Sequence, residues 1–128
     1  MDRKVAAAIA LLAGMLALPM EARPLKAEQE AKIKPSGPAV DCISIPEIRN
    51  TRVRDDRTID FYTSGNKVYR NTLPYACSGL GFEEKFSYST SLSRLCSVDV
   101  ITVLHSSPAM SGPSCGLGKF QPVTGAPK

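Results

Sequence analysis

Four cysteines, Cys42, Cys77, Cys96 and Cys115, constrain this chain more than any other feature. They are even in number, and each lies far from the next, with no Cys-x-x-Cys pair among them. Structural zinc sites draw on Cys or His pairs about two to four residues apart, so this spacing argues against a metal site. A catalytic thiol needs a basic partner to lower its pKa. The sole histidine, His105, sits beside two serines in a stretch that reads as a loop. Two disulfides formed in an oxidising compartment are the remaining reading. Three connectivities are open. We expect Cys77 with Cys96, flanking one strand, and Cys42 with Cys115, joining the two ends of the sheet.

The N-terminus supplies the compartment. Asp2, Arg3 and Lys4 precede an apolar run at residues 5–18, followed by Pro19 and an Ala22 suited to cleavage. A positive start, an apolar stretch of about 7–15 residues and a small-residue cut site describe a secretory signal. The run falls short of the roughly 20 apolar residues that a bilayer-spanning helix takes. Residues 1–22 are therefore expected to be a signal peptide, with a cut after Ala27 as the fallback. The mature chain is expected to be periplasmic or secreted, without stable membrane insertion.

Removing residues 1–22 takes away two charges of each sign and leaves the net +4 unchanged. The excess sits in the tails, because residues 41–123 carry 9 basic against 8 acidic side chains. A nearly neutral folded part lacks the clustered basic face of a nucleic-acid binder, so no nucleic-acid partner is expected. Residues 23–40, rich in Ala, Glu, Lys and Gln and closed by Pro35, Gly37 and Pro38, present no apolar helical face and read as a disordered linker. The domain is placed at residues 41–121, with residues 122–128 a flexible tail.

Within the domain, residues 55–73 form the expected nucleus. Residues 58–63 and 67–71 both alternate, with Gly65-Asn66 between them. A two-residue type II′ turn would pair Tyr62 with Tyr69, whereas a three-residue loop would pair Phe61 with Tyr69; the pattern alone leaves both open. Ahead of the hairpin, Ser44, Pro46 and Glu47 suggest one helical turn that tucks in Ile45 and Ile48. After it, residues 85–90 alternate as a half-buried strand. Residues 95–104, apolar on both alternating sets, read as a central strand covered on two faces. Asp99 within that run would need a partner such as Arg70, Arg94 or Asn71. Residues 105–112 read as a loop. Residues 114–120 read as a last strand with Gly116 and Gly118 on one face, where alternate glycines suggest close backbone approach, a bulge or a barrel corner. The expected fold is mostly β: a small antiparallel barrel or curled sheet of five to six strands, one short helical turn and two disulfides.

No catalytic, metal or nucleotide signature appears, so no cofactor and no enzyme activity is expected. Arg49, Arg52, Arg54 and Arg57 interleave with Asp55, Asp56 and Asp60, which reads either as an anion site or as a self-paired surface cluster; we take the second. The expected role is a non-enzymatic binding or envelope-associated module with an envelope or secreted protein as partner. Its contact surface would be the Tyr62, Tyr69, Arg70 and Asn71 side of the hairpin with the Asp55-Asp56 corner. The alternatives are an inhibitor that inserts the stretch at residues 105–113 into a secreted hydrolase, and a hydrolase using a carboxylate pair among Asp55, Asp56, Asp60 and Asp99. Such a pair should stand about 5–9.5 Å apart across a cleft.

The strings DDRTI, VYRNTLP, CSGL, LCSVDVITV and CGLGKF follow one another between Cys42 and Phe120. On these the chain resembles an uncharacterised family of small exported proteobacterial proteins, a domain-of-unknown-function family. The resemblance implies a single exported domain and carries over no catalytic residue.

Overall fold

The computed structural model describes residues 25–106 and 109–128. The signal peptide expected at residues 1–22 lies outside the described residues. In chain order the elements are helix α1 (Ala27–Ala31), strands β1 (Lys34–Pro35), β2 (Cys42–Ser44) and β3 (Ile48–Val53), the hairpin β4 (Thr58–Thr63) and β5 (Lys67–Thr72), helix α2 (Leu80–Glu83), and strands β6 (Phe86–Tyr88), β7 (Arg94–Cys96), β8 (Val100–Ser106), β9 (Ala109–Gly116) and β10 (Phe120–Thr124). They form three antiparallel sheets, ordered β1-β10-β5-β4-β3, β2-β7 and β6-β8-β9. The mostly-β reading and the two disulfides stand. The barrel does not: the sheets are open, and ten short strands replace the five or six expected.

The hairpin takes the three-residue connection. Ser64, Gly65 and Asn66 join its strands, with Gly65 and Asn66 both left-handed at φ 76° and 60°. This turn pairs Phe61 with Tyr69, Asp60 with Arg70 and Ile59 with Asn71. Because side chains alternate, Ile59 and Phe61 face inward with Tyr69 and Asn71, while Asp60, Tyr62 and Arg70 face outward.

One core lies between the sheets. The five-stranded sheet contributes Val53, Ile59, Phe61 and Phe120, β8 contributes Ile101 and Val103, the small sheet contributes Ile43 and Leu95, and α2 adds Leu80. Phe61 meets Phe120 edge to face at 5.4 Å. The expected turn is a 3-10 turn, Ile45–Glu47, with Pro46 as its second residue, and it packs Ile45 and Ile48 against this core. Ser44 makes no side-chain cap there.

The apolar run at residues 95–104 is not one central strand. Asp99 accepts the Cys96 N–H at 2.7 Å and returns its own N–H to the Cys96 carbonyl at 2.9 Å, which folds the run into a turn between β7 and β8. Leu95 and Ile101 are buried, while Val98 is 87% exposed. Asp99 therefore finds its partner in the backbone rather than in Arg70, Arg94 or Asn71. Residues expected as a loop also change: His105 and Ser106 close β8, residues 109–116 form β9, and residues 107–108 lie outside the described residues.

The disulfides join Cys42 to Cys96 and Cys77 to Cys115, correcting both expected pairings. The physical reason is strand order. Strand β2 pairs with β7, which sets Cys42 directly opposite Cys96, so the two ends of the domain are not neighbours there. The folded unit also exceeds the expected limits on both sides. Residues expected as a linker form α1 and β1, and β1 pairs with β10, which itself runs into the segment expected as a tail.

Candidate functional site

The outer face of the five-stranded sheet carries the densest polar arrangement. Asp60 has no exposed surface, although alternation aims it away from the core. Two arginines cover it. Arg54 Nε donates to Oδ2 at 2.9 Å, while Arg70 Nε donates to Oδ1 at 2.8 Å and its Nη2 to Oδ2 at 3.0 Å. The network then spreads. Arg54 Nη2 donates to the Tyr62 hydroxyl at 2.9 Å, Tyr62 donates to the Pro127 carbonyl, and Arg70 Nη1 pairs with Glu30 of α1. Hydrogen bonding to Asp60 holds the Arg70 proton more firmly than usual, and burial pushes the Tyr62 phenol up from its ordinary value. A buried carboxylate without such partners would cost several kcal/mol (about 3–5 when a partner is removed).

That arrangement leaves a neighbour without a counter-ion. Arg52 stands directly opposite Asp60 on β3, yet both carboxylate oxygens are already engaged by Arg54 and Arg70. Among the described residues Arg49, Arg52 and Lys67 enter no ion pair. All three line one cleft of about 780 Å³, between β3, the turn of the β4–β5 hairpin and the segment that follows β10. Val68 and Val123 supply apolar lining, Lys128 adds a further cation, and among the described residues no Asp or Glu side chain lines it. A register shift between Ile48 and Asn50 puts a bulge at the cleft's edge. Bulges of this kind re-aim side chains at the rims of sites. The chain turns back over the sheet at Gly125, whose φ of 86° and close approach to the Lys32 carbonyl exclude a Cβ.

The residues expected to form one contact surface are separated. Tyr62 and Arg70 share the outer face, but only Tyr62 lines the cleft, and Arg70 is bound to Asp60 and Glu30. Tyr69 lies on the opposite face and packs against the core. Asn71 is fully buried; its amide donates to the Gly118 carbonyl at 2.7 Å and its oxygen accepts the Gly118 N–H at 2.8 Å. Asp55 accepts the Arg57 N–H at 2.8 Å and closes a local turn, whereas Asp56 accepts the Gly81 N–H at 2.7 Å and ties that turn to α2. Asn71 is therefore corrected to a structural position, Tyr69 faces the core, and Asp55 and Asp56 lie outside the cleft. The arginine cluster divides. Arg54 is ion-paired, Arg57 donates to the carbonyls of Leu73 and Pro74, and Arg49 and Arg52 keep their charge for the cleft. The self-paired reading of the interleaved charges holds for Arg54 with Asp60, but not for Arg49 and Arg52, because Asp60 is taken up by Arg54 and Arg70.

Among the described residues no group of three His, Cys, Asp or Glu side chains is arranged to hold a metal ion, and no helix is long and apolar enough to cross a membrane. The four carboxylates considered as a hydrolytic pair each accept a hydrogen bond from the chain itself, and none lines the cleft. No family model, curated protein or solved structure matches the chain.

Proposed function

We propose that this is an exported, non-enzymatic binding module, periplasmic or secreted, that holds an anionic ligand of the cell envelope in the cleft between β3 and the β4–β5 turn. The observation that carries the reading is the set of cations Arg49, Arg52, Lys67 and Lys128, which enter no ion pair among the described residues and line a cleft that has no Asp or Glu side chain among those residues. A basic concavity of this kind attracts anions over about a Debye length and engages carboxylate or phosphate with the arginine fork. Two disulfides suit an oxidising setting. The resemblance to small exported proteobacterial proteins supports the same placement.

The test is titration of the isotopically labelled, disulfide-intact protein with three polyanions: oligogalacturonate, polyglutamate and polyphosphate. Amide shifts concentrated at residues 49–52 and 64–67, weakening as salt rises, are the expected result. Absence of binding by all three at low salt overturns the reading.

A further inference from the structure

We infer that the ligand of the basic cleft is an acidic oligosaccharide, a short run of sugar rings bearing carboxylate or phosphate groups. The inference rests on the anion-binding reading above and names its ligand class.

The cleft's polar lining is of two kinds. Arg49, Arg52, Lys67 and Lys128 supply positive charge, and Ser64, Asn66 and Thr124 supply neutral hydrogen-bonding groups. None of the latter three side chains forms a hydrogen bond among the described residues, in contrast to Thr63, whose hydroxyl donates to the Lys67 carbonyl at 3.0 Å. Serine and threonine hydroxyls and the asparagine amide both donate and accept. Sugar hydroxyls do the same, so each can be matched in either direction. Val68 and Val123 offer an apolar surface to the C–H face of a ring. A volume of about 780 Å³ lies within the range of roughly 300–1,000 Å³ found for small-ligand pockets, and is larger than a single anion requires.

The charge of the lining separates an acidic sugar from a neutral one. With Arg49, Arg52, Lys67 and Lys128 in the lining and no Asp or Glu side chain among the described residues, an acidic sugar gains charge-assisted hydrogen bonds that a neutral one cannot form. The strand edge argues against an acidic peptide. A peptide would add to β3, the free edge of its sheet, through regular main-chain bonding. The register shift between Ile48 and Asn50 breaks that regularity, and the Thr51 N–H is already taken by Asn50 Oδ1 at 2.9 Å. Stacked nucleotide bases are disfavoured because Tyr62 is the cleft's sole aromatic and its hydroxyl is fixed by Arg54 and Pro127.

Calorimetric titration of the disulfide-intact protein with tetragalacturonate, glucose 6-phosphate, tetraglutamate, a four-nucleotide DNA and neutral maltotetraose tests the inference. The expected result is binding of tetragalacturonate or the sugar phosphate at least about tenfold tighter than the peptide or the oligonucleotide, with no binding of maltotetraose. Arg52→Ala should weaken every anion about tenfold or more, whereas Ser64→Ala combined with Asn66→Ala should weaken only the sugars. Arg94→Ala, at an exposed cation outside the cleft, is expected to change neither. Tetraglutamate or DNA binding as tightly as the acidic sugars overturns the saccharide inference and leaves the anion reading standing. If no anion binds, both fall.

Discussion

Asp60 and Arg70 stand directly opposite each other on β4 and β5, and the guanidinium engages both carboxylate oxygens, at 2.8 Å and 3.0 Å. The pair locks the register of the hairpin from its outer face while Phe61 locks it from the inner one. It also uses up the charge that would otherwise neutralise Arg52, so the same contact that stabilises the sheet leaves the cleft basic.

Asp60→Ala should therefore lower stability by about 3–5 kcal/mol, because it strands two largely buried guanidinium groups, of Arg54 and Arg70. Urea unfolding of the variant should show a reduced midpoint with an unchanged slope. Arg52→Ala, at an exposed position without an ion pair, should change stability by no more than about 0.5 kcal/mol. A similar loss in both variants would refute this assignment of the network.

Asn71 and Gly118 form the second fixed contact. A Cβ at Gly118 would sit 2.3 Å from the Thr72 carbonyl oxygen, a backbone atom with little freedom to retreat. Gly118→Ala should cost about 1–3 kcal/mol through overpacking. Asn71→Leu should cost a similar amount, about 1–3 kcal/mol, by leaving the Gly118 N–H and carbonyl without their partner. Thermal melts of the two single variants and the double variant would show sub-additive losses if they act through this one contact.

Disulfide mapping is expected to give Cys42 with Cys96 and Cys77 with Cys115. Trypsin leaves Cys96 and Cys115 in one peptide, since no Lys or Arg occurs between Leu95 and Lys119. A second cut before Asp99 or after Met110 is required to separate them. Removing either bridge by a Cys→Ala pair should cost about 4 kcal/mol in the chain-entropy model, given sequence separations of 54 and 38 residues. Recovery of Cys42 linked to Cys115 would contradict the β2–β7 pairing.

Glu83 on α2 accepts hydrogen bonds from His105 at 2.9 Å and from the Ser106 N–H at 3.3 Å. The His105 contact in particular holds its carboxyl below the ordinary value of 4.5. A depressed folded-state value means that the folded chain releases this proton more readily than the unfolded chain. The stability it contributes is full above pH 4.5 and is lost as pH falls through the lower folded value. The stability gap between the native protein and Glu83→Gln should thus be constant near neutrality and narrow in the acid range. Denaturation midpoints measured down to about pH 3 check this, and a gap that widens on acidification would reverse the sign.

The resemblance of local pattern to structure was closest where a physical signal is local. The alternation of residues 58–63 and 67–71, the Gly65-Asn66 turn and the helical turn at Pro46 all depend on a few adjacent residues. The run at residues 95–104 misled for the same reason. Its composition is that of a buried strand, but the Asp99 carboxylate folds the backbone onto Cys96, and no periodicity records that hydrogen bond. The site divided likewise. Tyr62 stands out by its type, but Arg49 and Arg52 read as part of a self-paired cluster, and Asn71, Asp55 and Asp56 read as equally available polar residues until their backbone partners are in place.

The amino-acid order by itself determined a mostly β chain, an even set of cysteines suited to pairing, and a hairpin with two admissible registers. The tertiary structure decided which register, which cysteines meet and which arginines keep an open charge. The reason is the two-residue period of a strand: a shift of one position exchanges the faces. Whether Asp60 meets Arg70, and so whether Arg52 is left without that counter-ion beside the cleft, follows from the length of a turn and the packing of strands far apart in the chain.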